Sequence, residues 1–89
     1  MEFFEKAESL YRKSQTWRSW FLGISDDLMV SAADLFYEAG LEYLLDGDDF
    51  KAHRSMSLAR HLYRHLILYS KKKSEMYVYA LDKLKYAKI

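Results

Sequence analysis

The sequence predicts an all-α fold of four antiparallel helices in a single domain covering residues 1–89. The chain has no Pro and only three Gly among its 89 residues, so it offers few places to turn. Apolar residues make up 51% of the chain and recur at intervals of three and four, which is the spacing of a helix face. A chain of this length supports one domain at most.

The apolar spacing also predicts where each helix begins and ends. The helices are expected at about residues 2–15, 27–45, 49–69 and 74–87, with an apolar loop at 16–25. Ser25, Asp26 and Asp27 start the second helix because short polar side chains can cap its free amide groups. Gly47 ends it because glycine can adopt the left-handed conformation that closes a helix. The next helix follows at once, so these two helices must be antiparallel neighbours.

The apolar positions of the last three helices define the predicted core. The second helix contributes Val30, Ala33, Phe36, Ala39, Gly40, Tyr43 and Leu44. The third contributes Phe50, Ala52, Met56, Ala59, Leu62, Tyr63, Leu66 and Ile67, and the fourth Tyr77, Ala80, Leu81 and Leu84.

Helices two and three carry a repeat signature. Phe36-x2-Ala39-Gly40-x2-Tyr43, followed by Ala52-x3-Met56-x2-Ala59, resembles the helical hairpin of a tetratricopeptide repeat. Glycine in mid-helix costs about 1 kcal/mol relative to Ala, and it is best tolerated where another helix packs against it. The six residues predicted to form the helix crossing are Phe36, Gly40, Tyr43, Ala52, Met56 and Ala59.

Weaker matches flank this hairpin, at Ala7-x3-Tyr11-x2-Ser14 and at Tyr77-x2-Ala80-Leu81-x2-Leu84. The chain therefore resembles one full repeat of right-handed hairpin type with a half repeat on each side. Such arrays bury a continuous core by stacking about three or more repeats. We therefore expect an exposed apolar end face that pairs with a second copy or another partner.

The net charge of +1 conceals a strong asymmetry. Residues 1–50 carry four Lys or Arg against eleven Asp or Glu, a balance of −7, and residues 51–89 carry ten against two, a balance of +8. Either the two halves attract each other in the folded chain, or the basic half forms a surface for an acidic partner. The candidate partner-binding residues are Arg60, Arg64, Lys71, Lys72, Lys73 and Lys83.

An apolar segment, Ser19-Trp20-Phe21-Leu22-Gly23, precedes a helix whose sequence at 32–39 is Ala-Ala-Asp-Leu-Phe-Tyr-Glu-Ala. This order resembles the N-terminal region of the soluble NSF attachment protein (SNAP) family, over roughly residues 5–65 and more faintly beyond. The resemblance implies a non-enzymatic adaptor in vesicle fusion and membrane trafficking. Such an adaptor lays a twisted helical sheet along a SNARE helical bundle and touches the membrane with its apolar loop. The family recruits a hexameric ATPase through a C-terminal region that has no counterpart in these residues.

The residues predicted to contact a membrane are Trp17, Trp20, Phe21 and Leu22. Trp favours the depth of the bilayer interface, and the neighbouring Arg18 attracts anionic lipid. The alternative is that this loop folds back and covers the core.

No catalytic, cofactor-binding or metal-binding residues are expected. The chain has no Cys, no Gly-rich phosphate loop and no nucleophile elbow. His61 and His65 share a helix face, but no carboxylate joins them at ligand spacing. Asp46, Asp48 and Asp49 are explained by helix capping, because the downstream Glu of a calcium loop is missing.

Three functions follow from these patterns. The first is a SNAP-like adaptor that binds a helical, SNARE-type partner and touches a membrane through the Trp17–Gly23 loop. The second is a structural or regulatory helical bundle that associates with itself. The third is a small basic nucleic-acid-binding protein with tyrosines that stack on bases, which the near-neutral net charge disfavours. A cytoplasmic location, with peripheral membrane contact as an addition, fits the absence of a signal sequence and of a membrane-spanning apolar stretch.

Overall fold

The computed structural model describes residues 2–16, 25–69 and 73–86. The helices are α1 (Glu2–Ser14), α2 (Ser25–Leu45), α3 (Asp49–Tyr69) and α4 (Lys73–Tyr86). No strand occurs within the described ranges, so the prediction of an all-α fold with four helices is confirmed. The helix ends lie within two residues of the predicted ones.

The helices form an open slab in which each packs mainly on its neighbours in the chain. The Phe4 ring of α1 lies 5.3 Å from the Phe36 ring and 6.5 Å from the Tyr43 ring of α2, centroid to centroid. The start of α1 therefore lies beside the end of α2, as in an antiparallel pair. The Cα trace measures 40 × 24 × 13 Å, nearly twice as wide as it is thick. A closed two-by-two bundle would be about equally wide in both directions across its helices.

Helix α2 lies between α1 and α3, and this position makes it the centre of the core. It contacts α1 and α3 along its length, and α4 reaches it through Tyr79 and Lys83. The core cluster consists of Ala7, Met29, Ala32, Ala33, Phe36, Met56, Ala59, Leu62, Tyr63, Leu66 and Ala80. α1 and α4 occupy the two edges of the slab.

The crossing of α2 and α3 is built on small residues. Ala52 and Ala59 have no exposed surface, and Gly40 is buried between the helices. A methyl group added at Gly40 would lie 2.9 Å from Cγ of Met56. Met56 therefore occupies the space that Gly40 leaves open.

The turn between α2 and α3 is closed by backbone geometry. Gly47 has a φ of +81°, in the left-handed region that favours glycine. The amide of Asp48 donates to the carbonyl oxygen of Tyr43 at 2.9 Å, and the amide of Gly47 donates to the carbonyl oxygen of Leu44 at 3.1 Å. The Asp48 carboxylate then accepts from the Lys51 amide at 3.1 Å and caps α3. Because this turn is short and hydrogen-bonded, it keeps the two helices adjacent and antiparallel.

Among the predicted core residues whose side chains the structure describes, three are exposed instead; the side chain of Tyr77 lies outside the described part. Phe50 is 79% exposed, Leu44 is 44% exposed and Leu81 is 41% exposed. Phe50 lies two residues before the buried Ala52, which places the two side chains about 200° apart around α3, so they cannot both face the core. Leu44 lies in the last turn of α2, and Leu81 lies on the edge helix α4, on a side that no other described helix covers.

Candidate interaction surface

The exposed side of α3 carries basic and histidine side chains along most of its length. Its buried side is formed by Ala52, Met56, Ala59, Tyr63 and Leu66, so the opposite side faces away from the slab. We call that opposite set the outer face of α3; it consists of His53, Arg54, His61, Arg64 and His65, all exposed. No Asp or Glu occurs between Lys51 and Tyr69. The outer face extends for about 18 Å along the helix axis.

Two cations near the start of α3 are oriented by aromatic rings of other helices. The Arg54 guanidinium lies 5.8 Å from the centroid of the Phe4 ring on α1, and the Lys51 ammonium lies 5.7 Å from that of Tyr43 on α2. Lys51 also lies 3.9 Å from the Asp48 carboxylate. An exposed cation–π contact contributes about 0.5–1 kcal/mol. Both side chains remain exposed, so they are positioned and still available to a partner.

The structure separates the predicted partner-binding residues into different surroundings. Arg64 is exposed on the outer face of α3, whereas Arg60 is half-buried and has interactions of its own. Lys83 is half-buried on α4, with its ammonium 5.2 Å from the Tyr37 ring centroid and 5.9 Å from that of Tyr79. Lys71 and Lys72, and the side chain of Lys73, lie outside the described part of the chain.

A partly buried polar cluster joins three helices, and sequence reasoning missed it. The Asp34 carboxylate on α2 accepts hydrogen bonds from the Tyr63 hydroxyl on α3 and from the Tyr79 hydroxyl on α4, the latter at 2.5 Å. Tyr63 has no exposed surface and Asp34 is half-buried. A signal was present: Asp34 interrupts the apolar run Ala32–Phe36, and a carboxylate in such a run needs a polar partner. The partners lie 29 and 45 residues away, so no local spacing reveals them.

The two phenols of this cluster hold their protons unusually strongly. Burial is the main cause that raises the pKa of Tyr63, and the hydrogen bond to the Asp34 carboxylate raises it further. The pKa of Tyr79 is raised by the same two causes in the same order. Both phenols therefore remain neutral donors to Asp34 at physiological pH. The cluster holds α2, α3 and α4 together.

The remaining predicted sites are placed as follows. Trp17, Trp20, Phe21 and Leu22 lie outside the described residues, as does most of the predicted 16–25 loop. None of the described helices combines the length and apolar character that crossing a membrane requires. Within the described ranges, no three His, Asp or Glu side chains come together in a way that could hold a metal ion.

Comparison of the chain with protein-family models, with curated proteins and with solved structures found no match. The interpretation of the surface therefore depends on the chemistry of its own residues and on the sequence patterns described above.

Proposed function

We propose that this chain is a non-enzymatic adaptor that binds an acidic, helical partner of the SNARE type along the outer face of α3. The observation that carries the proposal is the run of exposed Arg and His side chains on that face, with no carboxylate from Lys51 to Tyr69. The formal positive charges of this face are those of Arg54 and Arg64. With no carboxylate to oppose them, they attract an acidic helix and fix its orientation more than they add affinity.

The form of the slab supports this proposal. A partner helix lying along α3 meets a firmly held surface, because α3 is anchored to α2 by the Gly40–Met56 crossing and by the hydrogen bond between Tyr63 and Asp34. About 18 Å of outer face corresponds to a little over three turns of a partner helix. The SNAP resemblance implies the same kind of contact, in which helices of the adaptor lie along a helical bundle.

The test measures binding of the purified chain to an immobilised, soluble SNARE four-helix complex. The variant Arg54→Glu/Arg64→Glu reverses two charges on the outer face. We expect it to weaken binding by about tenfold or more, since exposed charge pairs contribute up to about 1 kcal/mol each. Binding of the unmodified chain should also weaken as salt increases.

The matched control is Arg12→Glu/Lys13→Glu on α1, which changes the net charge by the same amount at exposed positions away from α3. The control should bind like the unmodified chain. Circular dichroism melting shows whether all three proteins are folded. Absence of binding by the unmodified chain, or an equal loss in the control, would contradict the proposal.

Membrane contact through Trp17, Trp20, Phe21 and Leu22 is a separate part of the proposal and is supported by the sequence alone. Co-sedimentation with anionic liposomes tests it. Trp20→Ser/Phe21→Ser should pellet less than the unmodified chain, and equal pelleting would argue against the contact.

A further inference from the structure

Two histidines on the exposed side of α3 lie one helical turn apart. His61 and His65 are four residues apart in one continuous helix. Four residues correspond to about 6 Å along the helix axis and about 40° around it. The Cβ atoms of such a pair are about 5–6 Å apart, so both imidazoles stand on the same side of the helix. Both side chains are exposed, so a small ion in solution can reach them.

Both imidazoles are available as ligands. Within the described part of the chain, neither makes a hydrogen bond or an ion pair, and the ring contact of His65 is with Tyr69, 4.9 Å away between centroids. Side chains of a helix lean over the preceding turn, which for His65 is the turn of His61. Because both rings are exposed, the His65 ring can turn from Tyr69 towards His61 without disturbing the packed side of α3.

The ligand atoms available here determine the kind of ion that the pair can hold. No Asp or Glu occurs between Lys51 and Tyr69, and no third His, Asp or Glu joins the pair within the described ranges. Imidazole nitrogens suit Cu²⁺, Ni²⁺ and Zn²⁺, whereas Mg²⁺ and Ca²⁺ take oxygen ligands. Affinity for a given site rises from Ni²⁺ to Cu²⁺ and falls again at Zn²⁺. Zinc-binding helices use a histidine pair of this same spacing.

We propose that His61 and His65 together bind one divalent ion of the late first-row transition metals, with Cu²⁺ held most tightly. One ring nitrogen of each histidine is a ligand, and water takes the remaining positions. The exposed Arg64 opposes the charge of the ion, and salt screens this repulsion. His53 is also exposed on α3, but it lies eight residues before His61. That separation is about 12 Å along the axis, so His53 cannot share the ion.

The experiment is isothermal titration calorimetry of the chain without an affinity tag and without a partner. The titrants are Cu²⁺, Zn²⁺ and Mg²⁺ at about pH 7.5, because a histidine ligand must be neutral. The variants are His61→Ala and His65→Ala, and the matched control is His53→Ala on the same helix. All three side chains are exposed, so each variant should keep the helical content of the unmodified chain, which circular dichroism measures.

We expect the unmodified chain and the control to bind Cu²⁺ equally, Zn²⁺ more weakly and Mg²⁺ not at all. Loss of a group that only orients a metal ligand costs about 10–100-fold in affinity, so loss of either ligand should cost about tenfold or more. Electron paramagnetic resonance of the Cu²⁺ complex should show two imidazole nitrogens. Binding should weaken from about pH 7.5 to about pH 5.5, because protons compete for the ligands. Added salt should not weaken it, whereas binding of an acidic partner should weaken.

Four results would overturn the proposal: no binding of Cu²⁺ by the unmodified chain, binding of Mg²⁺ as tight as that of Cu²⁺, a His61 or His65 variant that binds Cu²⁺ like the unmodified chain, or an equal loss of affinity in the His53 control. The last result would assign the ion to a different set of side chains. Because no partner is present in the titration, failure of the metal site and failure of the proposed function are separate results.

Discussion

Replacing Gly40 by Ala tests how α2 and α3 pack at their crossing. The added methyl would lie 2.9 Å from Cγ, 3.0 Å from Cε and 3.1 Å from Sδ of Met56. Ordinary contacts between carbon atoms are about 3.5–4.0 Å. Met56 is only 2% exposed, so its side chain must move within a packed core to make room.

Two opposing effects set the size of the change. Ala is better than Gly in a helix by about 1 kcal/mol, whereas overpacking a core costs about 1–3 kcal/mol. We therefore expect Gly40→Ala to lower the free energy of unfolding by about 1 kcal/mol. Met56→Ala alone should cost about 2–5 kcal/mol because it leaves a cavity. In the double variant Met56 no longer overlaps the new methyl, and that methyl fills part of the cavity. The double variant should therefore be more stable than the sum of the two single effects predicts, by about 1–3 kcal/mol in the free energy of unfolding.

The assay is urea unfolding followed by far-ultraviolet circular dichroism for the unmodified chain, both single variants and the double variant. In a domain of this size, 1 kcal/mol shifts the melting temperature by about 4–8 °C, so thermal melts provide an independent measure. The reasoning is refuted if Gly40→Ala stabilises the chain by the full helix-propensity gain. It is also refuted if the change in the free energy of unfolding of the double variant equals the sum of the two single changes to within about 0.5 kcal/mol.

Two further predictions concern the turn and the polar cluster. Gly47 has a positive φ, and a methyl there would meet nothing within 4 Å. Gly47→Ala should therefore lower stability by about 1–2 kcal/mol for purely conformational reasons, and Gly47→Asn should lower it less. Equal melting temperatures for the Ala variant and the unmodified chain would contradict this. The pKa of Tyr63 is raised in the folded state, so the folded chain keeps a proton that the unfolded chain releases above about pH 10. The contribution of Tyr63 to stability is therefore complete below about pH 10 and declines above it, by up to about 1.4 kcal/mol per pH unit. Tyr63→Phe should make the decline in stability shallower, and Tyr79, whose pKa is also raised, should leave part of it in place. Equal slopes for both proteins in urea titrations from about pH 8 to about pH 11 would show that the burial argument is wrong.

The outcome for individual residues shows how far the sequence could lead. Helix ends were predictable because caps and glycines act locally: Asp48 and Gly47 meet their partners within five residues along the chain. The exposure of Phe50 was predictable in principle from its angular position on α3, but its strong hydrophobicity suggested burial instead. The Asp34 cluster was not predictable in detail, because three helices contribute to it and their relative register is a property of the whole core.

By itself, the sequence determined that this chain is four helices, where they begin and end, and that its charges divide between two halves. These properties depend on short-range backbone preferences and on residue counts. Only the tertiary structure decided which of the charged and apolar residues are available to a partner. It placed Lys83 over aromatic rings, left Arg64 exposed, and left Phe50 and Leu68 exposed near opposite ends of α3. Exposure depends on what the neighbouring helices cover, and that depends on packing between residues distant in the chain.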